Sequence, residues 1–336
     1  MDLRRAGRRT NLALLVLLAS VLLTGALAFA IGGDWAFVAV AIHGAAGLGI
    51  LLLAPWKSVI SVRGLRRSRP GTPASIALVI LVLVAIVSGV GHATGLWSSL
   101  LAMQIHVSSA LLVIPLAIWH VVARPVRPRR SDLSRRTFVR VGVVAAGSLA
   151  AFGAVEGLLR VTGLPGADRR ATGSYERGSF DPSRMPVTQW LDDSPSAIDP
   201  QVWRLDVGAP WGTRTWTYDG LLAFDDRLRA TLDCTGGWFA SQDWSGVRLD
   251  RLIGGQEDVR SFVAVSATGF GRRFPISDAS SMLLATRVGG LPLSQGHGFP
   301  ARIVAPGRRG FWWVKWVERI EVSATPWWWQ SPFPLT

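Results

Sequence analysis

The chain has 336 residues, with 36 Lys or Arg against 22 Asp or Glu, one Cys and 16 Trp, a length that suggests two or three domains. An apolar content of 49% excludes intrinsic disorder, and a lone cysteine excludes a disulfide-stapled fold. The net charge of +14 invites a nucleic-acid reading, but residues 1–140 hold 16 basic and three acidic side chains while the remainder holds 20 and 19, so no nucleic-acid partner is expected.

Runs free of Lys, Arg, Asp and Glu occupy 11–33, 35–56, 70–122 and 141–155. About 20 residues span a bilayer core, so the third run must hold two helices, with a break near Thr94 to Ser99. The predicted membrane spans are 11–32, 35–55, 75–96, 100–122 and 139–160. Basic residues sort to one side of them: Arg4, Arg5, Arg8 and Arg9; Lys57, Arg63, Arg66, Arg67 and Arg69; then Arg124, Arg127, Arg129, Arg130, Arg135, Arg136 and Arg140. The connections around Asp34 and Trp97 carry none. This asymmetry predicts a multi-pass protein of the cytoplasmic membrane, with the N-terminus cytoplasmic and the region after residue 160 extracytoplasmic.

Ser134-Arg135-Arg136-Thr137-Phe138-Val139-Arg140, ahead of a Gly/Ala-rich span, resembles the twin-arginine export signal. The resemblance implies an uncleaved signal-anchor over 131–161, and a twin-arginine translocase as the partner that carries an already folded domain outward. Residues 162–200 read as linker and loops, rich in Gly, Pro, Ser and Asp. From Val202, short alternating runs such as Trp203 to Val207 and Thr215 to Tyr218 predict strands, with one helical stretch from Tyr218 to Leu228. Residues 201–325 therefore form a strand-rich α+β domain, followed by a Trp-rich tail at 326–336. Trp327, Trp328 and Trp329 suit either the lipid headgroup region or the domain's own surface.

Four signatures mark this domain: Leu232-Asp233-Cys234-Thr235-Gly236-Gly237-Trp238; Trp244 to Ile253; Gly296-His297-Gly298-Phe299-Pro300-Ala301-Arg302; and Gly310 to Ile320, which contains Val314-Lys315-Trp316. In this order and spacing they resemble the molybdopterin-binding domain of the sulfite oxidase family, over about residues 202–322. The resemblance implies a molybdenum–molybdopterin cofactor, with Cys234 as the catalytic thiolate ligand of molybdenum and with His297, Arg302 and Lys315 holding the pterin and its phosphate. A thiolate is a soft anionic ligand, and a guanidinium, an ammonium and glycine backbone amides suit an anionic cofactor. Sulfite oxidases carry an arginine pair just after the cysteine, where this chain has Gly237, Trp238 and Phe239. Arg272 and Arg273 are left either as pocket residues or as an exposed pair, and Trp238 and Phe299 favour a less charged substrate.

Four of the five histidines, His43, His92, His106 and His120, fall in the predicted spans. At 1.5 Å per residue, His43, His106 and His92 lie about 12, 9 and 6 Å below the same boundary. Buried polar groups in a membrane are costly and often functional. Their shared depth predicts one haem b ligated by His43 and His106, with His92 as the alternative ligand or a quinone contact. His120 lies too deep to join them, and a second haem there would lack a second histidine. The bundle over 1–125 faintly resembles small membrane cytochromes b.

The fold expectation is multi-domain: an all-α bundle of four transmembrane helices plus a fifth anchor helix, then the molybdopterin-binding domain. The functional expectation is a membrane-bound molybdenum oxidoreductase that moves an oxygen atom between the site and a small oxo-donor or oxo-acceptor. Electrons pass between it and a quinone or quinol pool through the haem, preferentially toward reduction of a sulfoxide or N-oxide. The alternatives are sulfite-type oxidation into the pool, or a bundle that only anchors the enzyme beside a separate redox partner.

Overall fold

The computed structural model describes residues 6–66, 71–189, 193–254 and 258–334. Arg4, Arg5, Arg67 and Arg69 lie outside the described residues. The chain divides into two compact units, one running through Phe29 and then over Asp34–Gly173, the other comprising Ala30–Gly33 and the chain from Ser174 onward.

The first unit contains α1 (Arg8–Ala30), α2 (Ala36–Leu65), α3 (Thr72–Thr94), α4 (Leu100–Ala123) and α5 (Arg135–Thr162). All five are long and apolar enough to cross a membrane. Many of their Leu, Val and Ile side chains face outward, as lipid-facing surfaces require. The turn between α3 and α4 begins at Gly95, whose φ of 76° suits glycine and whose N–H caps the His92 carbonyl. Ser99 then starts α4 by accepting from the Ala102 N–H.

Two features go beyond the expected spans. The second helix does not stop at residue 55, because Pro55 sits inside α2, which continues to Leu65. A missing N–H is tolerated where the rest of an apolar helix stays bonded, and the Pro55 carbonyl gains the Ser58 hydroxyl at 2.8 Å. The fifth helix packs along α2, as α3 packs along α4. A Cβ on Gly44 would stand 2.8 Å from the Phe152 ring, and one on Gly49 would stand 2.7 Å from the Ser148 hydroxyl. Small residues thus let these two backbones approach closely.

The second unit is built on two sheets. One contains β1 (Tyr175–Glu176), β4 (Asp226–Cys234), β5 (Trp238–Arg248), β8 (Leu283–Val288), β9 (Leu291–Pro292) and β10 (Arg302–Val304); the other has the order β3 (Gly212–Thr217), β2 (Arg204–Ala209), β11 (Val317–Ser323), β6 (Ser261–Ser266), β7 (Gly271–Pro275). Two short helices, α6 (Tyr218–Leu222) and α7 (Leu249–Ile253), join strands. The expected helix to Leu228 ends at Leu222, because Asp226 onward alternates in burial and pairs with β5. The register shifts at Ser245 and Gly246, where β5 crosses β8. A Cβ on Gly246 would lie 2.1 Å from the Leu284 carbonyl oxygen, so this close approach requires glycine.

Residues 162–200 are also more than linker. Tyr175 is buried and β1 pairs in parallel with β5, while Met185 and Thr188 reach the cysteine-bearing region described next. A two-residue strand is too short to show a period of two, which is why composition alone read it as loop.

Candidate functional site

Strand β4 ends on Cys234, paired in register with Trp238 across the tight turn that Gly237 closes at a φ of 85°. The thiol is 8% exposed. The Gly236 N–H donates to its sulfur at 3.3 Å, and the Thr188 hydroxyl lies 3.2 Å away. The backbone beneath it is fixed by a buried ion pair: Arg309 donates to the Asp233 carboxylate, which also accepts from the Ser174 hydroxyl at 2.7 Å. Arg309 further donates to the Cys234 carbonyl at 3.2 Å. A Cβ on Gly310 would stand 3.1 Å from Cys234 Cα, so the Arg309–Gly310 segment lies directly against the cysteine. Sequence reading missed this clamp, because Arg309 is far from Asp233 in the chain and lies outside the four signatures.

Arg302, 1% exposed, begins β10 and donates to the carbonyls of His297 at 3.0 Å and Trp313 at 3.3 Å. Its guanidinium lies 5.2 Å from the Trp244 ring and 5.6 Å from the Trp313 ring, a buried cation packed on π faces. Lys315 donates to the carbonyls of Thr188 at 2.7 Å and Gly296 at 2.6 Å. Burial pushes Arg302 down to about 9 and, with Arg302 nearby, Lys315 down to about 7; the Cys234 sulfur opposes both shifts as a counter-charge. His297 is pushed down to about 4 by burial and then by Arg302 and Lys315, so the ring is neutral at pH 7. Its Nε2 donates to the Met185 carbonyl at 3.1 Å while its Nδ1 accepts from the Ser294 hydroxyl at 2.8 Å. His297 therefore ties the loop at Met185 to the 3-10 turn Gln295–His297, and both of its ring nitrogens are bonded within the chain.

The structure thus brings Cys234, Arg302 and Lys315 within electrostatic reach of one another, with His297 beside the two cations. This set fits an anionic thiolate-ligated cofactor on a specific observation. Arg302 is buried among carbonyls and rings, and its Nε has no hydrogen-bond partner in the protein. Burying such a group without an anion is costly, and a phosphate or dithiolene would remove the cost. Trp238, the register partner of Cys234, likewise buries an Nε1 with no partner in the protein.

Arg272 and Arg273 are neither pocket residues nor an exposed pair. Arg272 is buried with its guanidinium 4.1 Å from the Trp312 ring and donates to the Ser331 carbonyl at 3.0 Å; burial and Arg308 push it down to about 10. The Arg273 backbone pairs with the Gln330 side chain through both its N–H and its carbonyl. These contacts dock the tail on β7. Trp328 and Trp329 remain 61% and 71% exposed.

In the membrane unit the structure brings His43 and His106 together, with ring centroids 5.7 Å apart and planes at 80°. His43 Nδ1 meets the Val21 carbonyl at 2.9 Å and His106 Nδ1 meets the Ala85 carbonyl at 2.7 Å. With each Nδ1 carrying the proton, both Nε2 atoms are left as acceptors or metal ligands. A Cβ on Gly89 would stand 2.9 Å from the His106 ring, and one on Gly25 would stand 3.1 Å from the His43 ring. His92 instead bonds the Gly173 carbonyl through Nε2 at 3.1 Å. His120 lies apart, 3.2 Å from the Ser75 hydroxyl. Among the described residues, no group of three or more His, Cys, Asp or Glu could hold a metal ion. One thiolate and one imidazole pair are donor sets that a cofactor's own ligands would complete.

Residues 192–330 match the family described as "Oxidoreductase molybdopterin binding domain". Mitochondrial sulfite oxidase of Rattus norvegicus is 30% identical over a segment covering 38% of this chain and 30% of that protein. NADPH nitrate reductase of Mycosarcoma maydis is 55% identical over a shorter segment, 12% of this chain and 4% of that protein. The crystal structure of the sulfane dehydrogenase SoxCD from Paracoccus pantotrophus aligns with a TM-score of 0.37 at 27% identity, covering 39% of this chain and 40% of that one. The chain spans less than a third of the length of the curated relatives named here.

Proposed function

We propose that this chain, whose C-terminal unit is a molybdopterin-binding oxidoreductase domain of the sulfite oxidase type, is a membrane-bound enzyme that exchanges electrons between an extracytoplasmic molybdenum site and the quinone pool through a haem b. The observation that carries this reading is the buried cluster of Arg302 and Lys315 around the only thiol of the chain. When bound, molybdenum–molybdopterin supplies oxygen-atom transfer coupled to two electrons.

The residues present divide the remaining work. Cys234 offers the thiolate, oriented by the Gly236 N–H and by the Arg309–Asp233 clamp below it. Arg302 and Lys315 supply positive charge to the pterin phosphate, and His297 holds the Met185 loop in place as a neutral ring. His43 and His106 offer two Nε2 atoms to one iron, whose one-electron chemistry would link a two-electron site to quinone. His92, already bonded to a backbone carbonyl, is the weaker candidate ligand.

Reduction of a sulfoxide or N-oxide is the preferred direction. Support comes from the residues around the thiol, where Arg309 is already paired with Asp233 and Arg302 and Lys315 are assigned to the cofactor. Aromatic Trp238 lies beside the thiol, where the sulfite oxidase pattern has arginines. The twin arginines Arg135 and Arg136 open α5, the position a signal-anchor needs, and the proposed route is the twin-arginine translocase.

Purified full-length protein tests the reading. Metal analysis should find molybdenum, and a dithionite-minus-oxidised spectrum should show a b-type α-band. Molybdenum without that band would reduce the bundle to an anchor beside a separate redox partner.

A further inference from the structure

We propose that the basic end of the membrane unit holds the headgroup phosphate of an anionic phospholipid in an open cleft of about 550 Å³ lined by Arg8, Asn11, Pro125, Val126, Arg127 and Arg129. The inference stands apart from the redox reading and uses none of its residues.

Position is the first argument. Arg8 opens α1, and residues 125–129 directly follow the end of α4 at Ala123, so in a membrane-spanning bundle the cleft lies at headgroup depth. Charge is the second. Among the described residues Asp132 is the one carboxylate bonded into this region, and it is taken by Arg8 and Arg9, with a further bond from the Arg129 N–H at 2.8 Å. Among the described residues no carboxylate pairs with Lys57, Arg124, Arg127 or Arg129. Lys57 and Arg124 lie within electrostatic reach of each other and of His120. Lys57 donates to Asn11 Oδ1 at 3.2 Å, which links this second layer of charge to the cleft wall. One guanidinium nitrogen of Arg124, Nη2, is buried with no partner in the protein.

So many cations gathered at helix ends, with one carboxylate among the described residues there, call for an external anion. Guanidinium forks bind a phosphodiester through paired N–H donors, and basic pockets between membrane helices bind anionic headgroups. A soluble phosphate shares that chemistry. A phospholipid also explains Pro125 and Val126 in the cleft wall, against which its glycerol backbone can lie.

The test uses the full chain in neutral detergent, titrated with phosphatidylglycerol or phosphatidylcholine and read by native mass spectrometry. Wild-type protein should retain phosphatidylglycerol in preference to phosphatidylcholine, and inorganic phosphate at equal concentration should not displace it. Arg127→Gln/Arg129→Gln should cut phosphatidylglycerol retention at least about tenfold, in line with a charge-dominated site. Arg66→Gln, on the same basic flank but outside the cleft, should leave retention unchanged. Arg129→Gln alone serves if the double variant fails to assemble, and should show a smaller loss in the same direction. Equal retention of the two lipids, undiminished retention in the cleft variants, or displacement by equimolar phosphate would overturn the proposal.

Discussion

The two units place chemically important side chains in opposite ways. In the membrane unit, His43 and His106 are steered by the backbone carbonyls of neighbouring helices, Val21 and Ala85, and glycines make room for the rings. In the sheet unit, Arg302 and Arg309 are steered by other side chains as well, a tryptophan pair and a buried aspartate. Helices in lipid have few polar side chains to offer, so carbonyls do the orienting; a sheet core can bury an entire ion pair.

The contrast decides what sequence could reveal. Four apolar runs, one of them long enough for two helices, announce five helices because lipid imposes both length and composition, and the depth of His43 and His106 follows from 1.5 Å per residue. Continuation of α2 to Leu65 was hidden, since a charge-free run marks where the apolar stretch ends at Lys57 and not where the helix ends. In the sheet unit, the signatures named Cys234, Arg302 and Lys315 as candidates, while Thr188, Ser174 and Arg309 became visible only when folding brought distant segments together. The tail shows the same limit: Gln330 imitates a strand edge against Arg273, which no periodicity encodes.

The largest effects should come from the donors themselves. Cys234→Ser should lower turnover or molybdenum content at least about a hundredfold and leave the haem spectrum intact. His106→Leu should do the reverse, abolishing the b-type band while sparing molybdenum. If each variant removed both signals, the two units would not be separable as described.

Next comes the buried clamp. Arg309→Met takes the guanidinium from the buried Asp233 carboxylate, and should cost about 3–5 kcal/mol by denaturant unfolding, with Arg309→Lys recovering part of it. A loss under about 1 kcal/mol would mean that side chains do not steer this unit as argued. Gly246→Ala should cost about 1–3 kcal/mol, because β5 and β8 must separate to admit a Cβ.

The smallest effect is a pH slope. His297 sits at about 4 in the folded protein against an ordinary 6.5, so between these values the unfolded chain binds a proton that the folded one refuses. Stability of cofactor-free protein should therefore fall as pH drops from 6.5 toward 4, by at most about 1.4 kcal/mol per pH unit. His297→Gln should flatten that slope in urea titrations across the same window.

The central claim is that one chain connects a molybdenum site at Cys234 to a haem between His43 and His106. Its most direct test is to reduce the haem of the full-length enzyme with dithionite, remove excess reductant and add a sulfoxide or an N-oxide while following the α-band. The account predicts reoxidation in the wild type and none in Cys234→Ser. A b-type band that reoxidises equally in both proteins, or that no oxo-donor affects in the wild type, would contradict it.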